Sequence, residues 1–249
     1  MQIHESSEAR LVEIDQAIAR KWDEVLSNSR LVHSIMSEGV RKELYALYML
    51  ETFHYTAHNA RNQAAAGIQH AAHNAMYAKF CFEHAAEETG HEKMAVHDLR
   101  ALGIPLDEHT LPVPLPETET LIGYLYWIST TGNPYRRLGY SLWAESSYQY
   151  INPVVGKVQS TLGLTDSQLT FFRAHSEIDD EHAKQVRQII LRTCKKNEDW
   201  AAIKDVALTS LDLTGRMLEG VYNEYRQLQA GVSPRFGASL DFSPTTVTA

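Results

Sequence analysis

Apolar residues recur every three or four positions along almost the whole chain, which is the spacing of amphipathic α-helices. Residues 8–26 show it at Leu11, Ile14, Ile18, Trp22 and Val25. The same spacing predicts further helices over residues 38–66, 70–102, 117–130, 135–152, 166–192 and 199–229. No segment of useful length alternates apolar and polar residues as a strand would. The pattern therefore predicts seven helices and an all-α fold.

Proline and capping residues set the predicted helix boundaries. The proline-containing stretch 105–116 is predicted to be a loop, and Pro153 should stop or kink the fifth helix. Asp166 is the predicted N-cap of the sixth helix, with Ser167 as the alternative. Because no long linker interrupts the helices, we predict a single helical domain over residues 1–229 and a C-terminal tail over residues 230–249.

Composition narrows the class of protein. The 249 residues are 44% hydrophobic, with 13 Gly and 8 Pro, which is typical of a folded chain with long helices. The formal charge of −8 disfavours a nucleic-acid partner, and no run of about 18 apolar residues predicts a membrane span. Cys81 and Cys194 are too few for a disulfide framework. We therefore expect a soluble, cytoplasmic protein.

Two histidine–carboxylate triplets are the sharpest chemical signal. They are His84-x3-Glu88-x2-His91 on the third predicted helix and His175-x3-Asp179-x2-His182 on the sixth. A spacing of i, i+4, i+7 places three side chains in one stripe of a helix, and aromatic residues precede each triplet. Glu87 competes with Glu88, but the parallel with Asp179 favours Glu88. Both helices are thus predicted to present imidazole and carboxylate groups to the interior.

Two further acids, Glu51 and Glu145, stand among apolar and aromatic neighbours. A buried carboxylate needs a partner, a proton or a metal, and helical bundles build di-iron and di-manganese centres from such inward acids and histidines. Mixed imidazole and carboxylate ligands suit iron or manganese, whereas structural zinc would favour thiolates. The competing interpretation is a set of ordinary ion pairs and satisfied core histidines. We also expect Arg137 to lie on the surface and Cys81 to be a small packed residue.

These residues resemble a known family. The run Leu44 to Tyr55 is similar to the start of the haem-oxygenase-like, TenA/PqqC-type fold, and the runs His84 to Glu92 and Asp98 to Gly103 are similar to its iron-containing branch. The most specific match is the second triplet, which begins thirty residues after Glu145. The resemblance covers roughly residues 25–200 and implies a single-domain seven-helix bundle.

The resemblance also implies a set of site residues. The metal ligands would be Glu51, Glu88, His91, Glu145, His175, Asp179 and His182, whereas His54, His84 and Glu87 would support the ligands or contact the substrate. Some members carry a carboxylate where this chain has His84. The ligand on the third predicted helix therefore stays open between Glu88, Glu87 and His84.

The activity implied by the resemblance is O2-dependent oxidation at a non-haem di-iron centre. Two Fe(II) ions would be the cofactor, with manganese as the alternative metal, and O2 the co-substrate. Members of this branch oxidise small amino-acid-like or amine substrates by desaturation, C–C cleavage or N-oxygenation, in specialised biosynthesis. The rival interpretations are a metal-free enzyme of the same fold and a non-catalytic helical interaction protein. A homodimer is the expected assembly if the chain self-associates.

Overall fold

The computed structural model describes residues 6–104 and 111–236, and within residues 174–180 it describes the helical backbone without the side chains. In this part of the chain there are eleven α-helices and one short 3-10 helix. The α-helices are α1 (Ser7–Asn28), α2 (Arg30–Glu38), α3 (Lys42–Thr56), α4 (Asn59–His70), α5 (Ala75–Glu87), α6 (Glu92–Ala101), α7 (Pro116–Thr130), α8 (Arg137–Ala144), α9 (Tyr148–Leu162), α10 (Thr170–Thr193) and α11 (Asn197–Gln229). The prediction of an all-α fold is confirmed, but the count of seven is wrong.

Short turns inside long apolar patterns account for most of the extra helices. The predicted third helix, 70–102, is divided into α5 and α6 by a turn in which Gly90 has a φ of +98°. Glycine tolerates this left-handed region, whereas other residues rarely adopt it. Because Glu88 and His91 lie in this turn, the first triplet does not form one continuous helical stripe as predicted.

Two predicted helix boundaries also differ. Pro153 lies inside α9 and does not stop the helix, and both predicted cap residues, Asp166 and Ser167, belong to the 3-10 helix Asp166–Gln168 instead of capping α10. The cap of α10 comes from Asp98 on α6. Its buried carboxylate accepts hydrogen bonds from the backbone N of Thr170 (2.9 Å) and of Phe171 (3.0 Å). This contact fixes the start of α10 against α6, and both helices border the candidate site.

The long helix α11 runs through the middle of the fold and packs against α1, α2, α3, α7 and α8. The approach of α8 depends on a glycine, because a Cβ atom at Gly139 would overlap the carbonyl oxygen of Ile203 on α11. Apolar side chains form two core clusters. One includes Trp22, Trp143 and Ile203, and the other includes Leu47, Phe172 and Val221.

The first part of the predicted tail contacts the bundle. Ser233 donates a 2.5 Å hydrogen bond to the buried Glu224, and Arg235 reaches the buried Glu51. Residues 237–249 lie outside the described residues. None of the described helices is both long enough and apolar enough to cross a membrane.

Candidate metal site

Four side chains converge in the interior: His84, Glu88, Glu145 and His182. Each can offer one nitrogen or oxygen atom, and these atoms all lie within 4.8 Å of one another. His84, Glu88 and His182 are buried, and the Glu145 side chain is 10% exposed. A group of this composition and size can hold a metal ion.

Helix ends bring these residues together. His84 lies in the last turn of α5, and Glu88 directly follows that helix. Glu145 directly follows α8, and His182 lies in the middle of α10. Short turns therefore build most of the site, and one uninterrupted helix completes it.

The carboxylates lie between the imidazoles. Glu145 Oε1 is 3.2 Å from His84 Nε2, and Glu145 Oε2 is 3.4 Å from His182 Nδ1. Glu88 Oε1 is 3.4 Å from His91 Nδ1 and 3.7 Å from His182 Nδ1. Glu145 thus connects two histidines of the cluster, and Glu88 brings His91 to its edge.

The polar atoms of this cluster are poorly satisfied by one another. Among the described residues, Nδ1 of His84 is buried without a hydrogen-bond partner, and His84 Nε2 and His182 Nδ1 face carboxylate oxygens at 3.2–3.7 Å without the geometry of a hydrogen bond. Buried polar atoms without partners cost free energy, so they usually indicate a group that completes the site. The donor set is two imidazoles and two carboxylates, which are ligands that iron and manganese accept. The residues present therefore fit a metal ion.

Electrostatic contacts at the cluster favour the charged forms of two carboxylates and two histidines, which are Glu88, Glu145, His91 and His182. Contact with Glu145 raises the pKa of His182 to about 9, against the opposing effect of burial. Burial disfavours the Glu145 carboxylate, but the contacts with His182 and His84 outweigh it and lower its pKa to about 2. In the same way, contact with Glu88 raises the pKa of His91. Without metal, protons on His182 and His91 balance the charge of the carboxylates.

Glu87 occupies a different position from Glu88. Its Oε2 lies 3.2 Å from Nε2 of His182, and its side chain is 49% exposed. The opposite ring nitrogen of His182 faces Glu88 and Glu145. A carboxylate on the outer nitrogen of a metal-binding histidine typically fixes its tautomer and orientation. The structure thus brings Glu88 and His84 into the cluster and gives Glu87 a supporting position.

The structure does not bring Glu51 into this cluster. Its fully buried carboxylate accepts hydrogen bonds from the backbone N of Leu115 (2.9 Å) and from Thr118 (2.6 Å), and it lies 2.7 Å from the Arg235 guanidinium. His54, the residue predicted beside it, contacts the carbonyl oxygen of Pro112 at 2.8 Å. Glu51 needed a partner as predicted, but its partners are a hydroxyl, a backbone amide and an arginine.

His175 and Asp179 lie on α10, in the two helical turns that precede His182, and their side chains are outside the described residues. Their assignment as ligands stays a prediction. Cys81 and Cys194 are both buried, and burial raises the pKa of their thiols to about 11 and about 12. Neither thiol is poised to become a thiolate ligand.

Arg137 was predicted to lie on the surface, but the structure buries it. It is 2% exposed, donates to Asn62 (2.6 Å) and Ser141 (2.7 Å), and lies over the ring of Tyr140. Tyr140 and Glu145 line the same pocket. Only its apolar neighbours in α8 could have indicated burial, and the adjacent Arg136 favoured a surface. The contact between Arg235 and Glu51 could not be predicted from local sequence patterns, because 184 positions separate the two residues.

Coupled protonation predicts how the stability of the metal-free protein depends on pH. The pKa of His182 is raised from 6.5, so its contribution is complete below pH 6.5 and is lost as pH rises through about 9. The pKa of Glu145 is lowered from 4.5, so its contribution is present above pH 4.5 and is lost towards pH 2. Denaturation experiments between pH 2 and 10 should therefore show that His182 and Glu145 contribute most to the free energy of unfolding between pH 4.5 and 6.5. The fall in stability above pH 6.5 should be smaller in His182→Gln, where His91 still contributes to it, and an unchanged fall in this variant would contradict the assignment.

The described residues thus form an all-α fold whose interior contains a candidate metal site of two histidines and two glutamates. A family model described as iron-containing redox enzymes matches residues 46–215, and the chain belongs to this family. Comparison with curated proteins gives no match.

Solved structures agree on the fold. The chain is 48% identical to a domain of unknown function with a heme oxygenase-like fold from Shewanella denitrificans OS217, with 91% of this chain and 97% of that chain covered and a TM-score of 0.87. It is 15% identical to TenA homologues from P. horikoshii OT3 and Pseudomonas syringae pv. tomato, at TM-scores of 0.69 and 0.70. Those two matches cover 86% of this chain and 98% and 93% of the other chains. The haem-oxygenase-like resemblance is confirmed.

Proposed function

We propose that this protein is a non-haem di-iron oxidase or oxygenase that uses O2 to oxidise a small amino-acid-like or amine substrate. The observation that carries the proposal is the convergence of His84, Glu88, Glu145 and His182 within 4.8 Å in a chain of the iron-containing redox family. Desaturation, C–C cleavage and N-oxygenation are the reactions we consider, in a biosynthetic setting.

The number of candidate donors supports two ions. Four residues already form the cluster, and His91 adds an imidazole next to Glu88. His175 and Asp179 lie within two turns of His182 on the same helix. These seven donors exceed the six that one octahedral ion accepts. Glu145 is the best candidate for a shared ligand, because its two oxygens contact different histidines.

Bound iron would supply the electrons for O2 reduction. The protein would position the substrate, exclude water from the site and control where protons are held. A pocket beside Glu88 and Glu145 is lined by aromatic side chains, including Tyr55, Tyr140 and Phe172. Burial raises the pKa of Tyr55 well above its ordinary value and that of Tyr140 to about 12, so both phenols stay protonated. They can donate hydrogen bonds to a substrate while they exclude water.

The two rival functions account less well for the site. A metal-free enzyme would need another nucleophile or base, and the buried Cys81 thiol has a pKa of about 11. A non-catalytic interaction protein would have little reason to bury two carboxylates and two histidines together. The proposal is tested by loading the protein with Fe(II) without oxygen, admitting O2, and measuring O2 consumption with aliphatic amines and amino acids. No iron uptake, or iron uptake without any O2 consumption, would contradict it.

Variants of the neighbouring acids should separate a ligand from a supporting residue. Glu88→Gln should lower iron affinity by more than about 100-fold, because a direct ligand should cost more than the roughly 10- to 100-fold typical of outer-shell partners. Glu87→Gln should lower it by only about tenfold, the lower end of that range, because solvent already screens this exposed carboxylate. Anaerobic iron titration of both variants measures the difference. Equal losses would mean that the ligand was misassigned.

A further inference from the structure

An apolar cavity lies next to the candidate metal site. Its cavity volume is about 110 Å³, and it is bounded by α1, α2, α3, α8, α9, α10 and α11. An apolar cavity of about 150 Å³ is enough to bind benzene. The volume is therefore on the scale of a short hydrocarbon group.

The cavity wall is formed by aliphatic and aromatic side chains. Leu31, Val32 and Ile35 contribute one side from α2, and Val154, Val155 and Val158 contribute another from α9. No aspartate, glutamate, lysine, arginine or histidine is among the residues that line it in the described part of the chain. A charged group placed in this space would lose its hydration without gaining an ion-pair partner.

This cavity adjoins the pocket that contains Glu88 and Glu145. Both spaces share six wall residues, which are Tyr48, Tyr55, Trp143, Ser147, Ile151 and Phe172. The Tyr48 and Phe172 rings are stacked at a centroid distance of 6.3 Å. The apolar space therefore directly neighbours the position that the reactive end of a ligand would take beside the carboxylates.

Helix α9 covers the cavity without filling it. Val158 is its one fully buried residue, while Ile151, Val154 and Val155 are only half-buried although they turn towards the cavity. An apolar face left partly unfilled beside a polar centre is typical of a binding pocket. The side chains of α9 are therefore suited to set the length of a bound chain.

From this arrangement we propose that the substrate has an aliphatic chain that occupies the apolar cavity, with its single polar, reactive end beside Glu88 and Glu145. The proposal rests on the proposed function for the identity of the reactive end, and it narrows the substrate to an amphiphile. Amino acids with a second charge at the far end, such as lysine, are excluded by the uncharged wall. Each methylene buried in the cavity should strengthen binding about fourfold, until the chain reaches the end of the space.

The test uses the full chain loaded anaerobically with Fe(II), and in parallel the metal-free chain. Calorimetric titrations with straight-chain primary amines and carboxylates of four to ten carbons, and with lysine, give the dissociation constants. We expect affinity to rise about fourfold per methylene and then level off, with a negative heat-capacity change. Lysine should bind more weakly than hexylamine. Affinity that is independent of chain length in both series, or stronger binding of lysine, would overturn the proposal.

Two variants locate the binding in this cavity. Val155→Trp should fill the space and weaken decylamine or decanoate binding at least tenfold, while iron uptake is unchanged. Val12→Trp, on the exposed face of α1, is the matched control and should bind like the wild type. Val158→Ala should shift the chain length of tightest binding upwards, so the proposal stays testable if Val155→Trp does not fold. Unchanged chain-length dependence in folded Val155→Trp, or in Val158→Ala, would place the chain elsewhere.

Separate readouts distinguish the two proposals. Iron uptake without chain-length dependence would overturn the aliphatic substrate and leave the di-iron function standing. Chain-length dependence that responds to Val155→Trp, in a protein that takes up no iron, would overturn the di-iron function and support the cavity as a binding site.

Discussion

Glu145→Gln should abolish iron binding and O2-dependent activity while leaving a folded protein. The carboxylate contacts two histidines of the cluster through different oxygens, at 3.2 Å and 3.4 Å. An amide keeps the size of the side chain but removes its charge, so iron affinity should fall by more than the roughly 100-fold upper range for outer-shell changes. Loss of the carboxylate should also return the pKa of His182 from about 9 towards 6.5, which NMR titration of the histidine ring measures.

The matched control is Glu83→Gln, an equal change of charge on the exposed face of α5, where Glu83 pairs with Lys79. Iron binding and the His182 titration should be unchanged in this control. If Glu145→Gln binds iron as tightly as the control, the cluster is not the metal site. If the His182 pKa does not move, the contact with Glu145 does not govern its protonation.

Arg235→Met should destabilise the protein by about 3–5 kcal/mol, the typical cost of leaving a buried charge without its partner. Glu51 is fully buried, and the Arg235 guanidinium is its ion-pair partner at 2.7 Å. The two hydrogen bonds from Leu115 and Thr118 remain, but they do not neutralise the charge. Urea denaturation of the metal-free protein measures the loss of unfolding free energy.

The double variant Glu51→Gln/Arg235→Met should recover part of the lost stability, because it removes the buried charge together with its partner. Glu51→Gln alone should retain full iron binding, since the structure places this residue with Arg235. Loss of iron binding in Glu51→Gln equal to that of Glu145→Gln would show that Glu51 is a metal ligand. A loss of stability below about 1 kcal/mol in Arg235→Met would show that water replaces the guanidinium easily.

The periodicity of apolar residues was sufficient to predict the fold class. Segments such as residues 8–26 and 199–229 each correspond to one amphipathic helix, α1 and α11. The breaks inside residues 70–102 were not predicted, because a single glycine in a helical pattern is usually tolerated. The φ of +98° at Gly90 belongs to the turn between α5 and α6, which the local apolar pattern does not reveal.

Only part of the candidate site was predicted, because local spacing does not show which distant residues meet in the fold. Sequence spacing identified Glu88, Glu145 and His182, because each lies near apolar residues that must be buried. The same reasoning included Glu51, since a buried acid next to a metal and one next to an arginine have similar local sequences. The choice depends on Arg235, which folds back from beyond α11. Contacts between distant segments are the information that periodicity and local spacing lack.

Anaerobic Fe(II) titration of the wild-type protein, followed by Mössbauer spectroscopy of the loaded sample, tests the central claim most directly. We predict that two iron ions bind per chain with nitrogen and oxygen ligands, and that exposure to O2 oxidises both to a coupled ferric pair. Glu145→Gln should take up neither ion. A single iron ion per chain, no iron at all, or full loading of Glu145→Gln would contradict a di-iron centre built on His84, Glu88, Glu145 and His182.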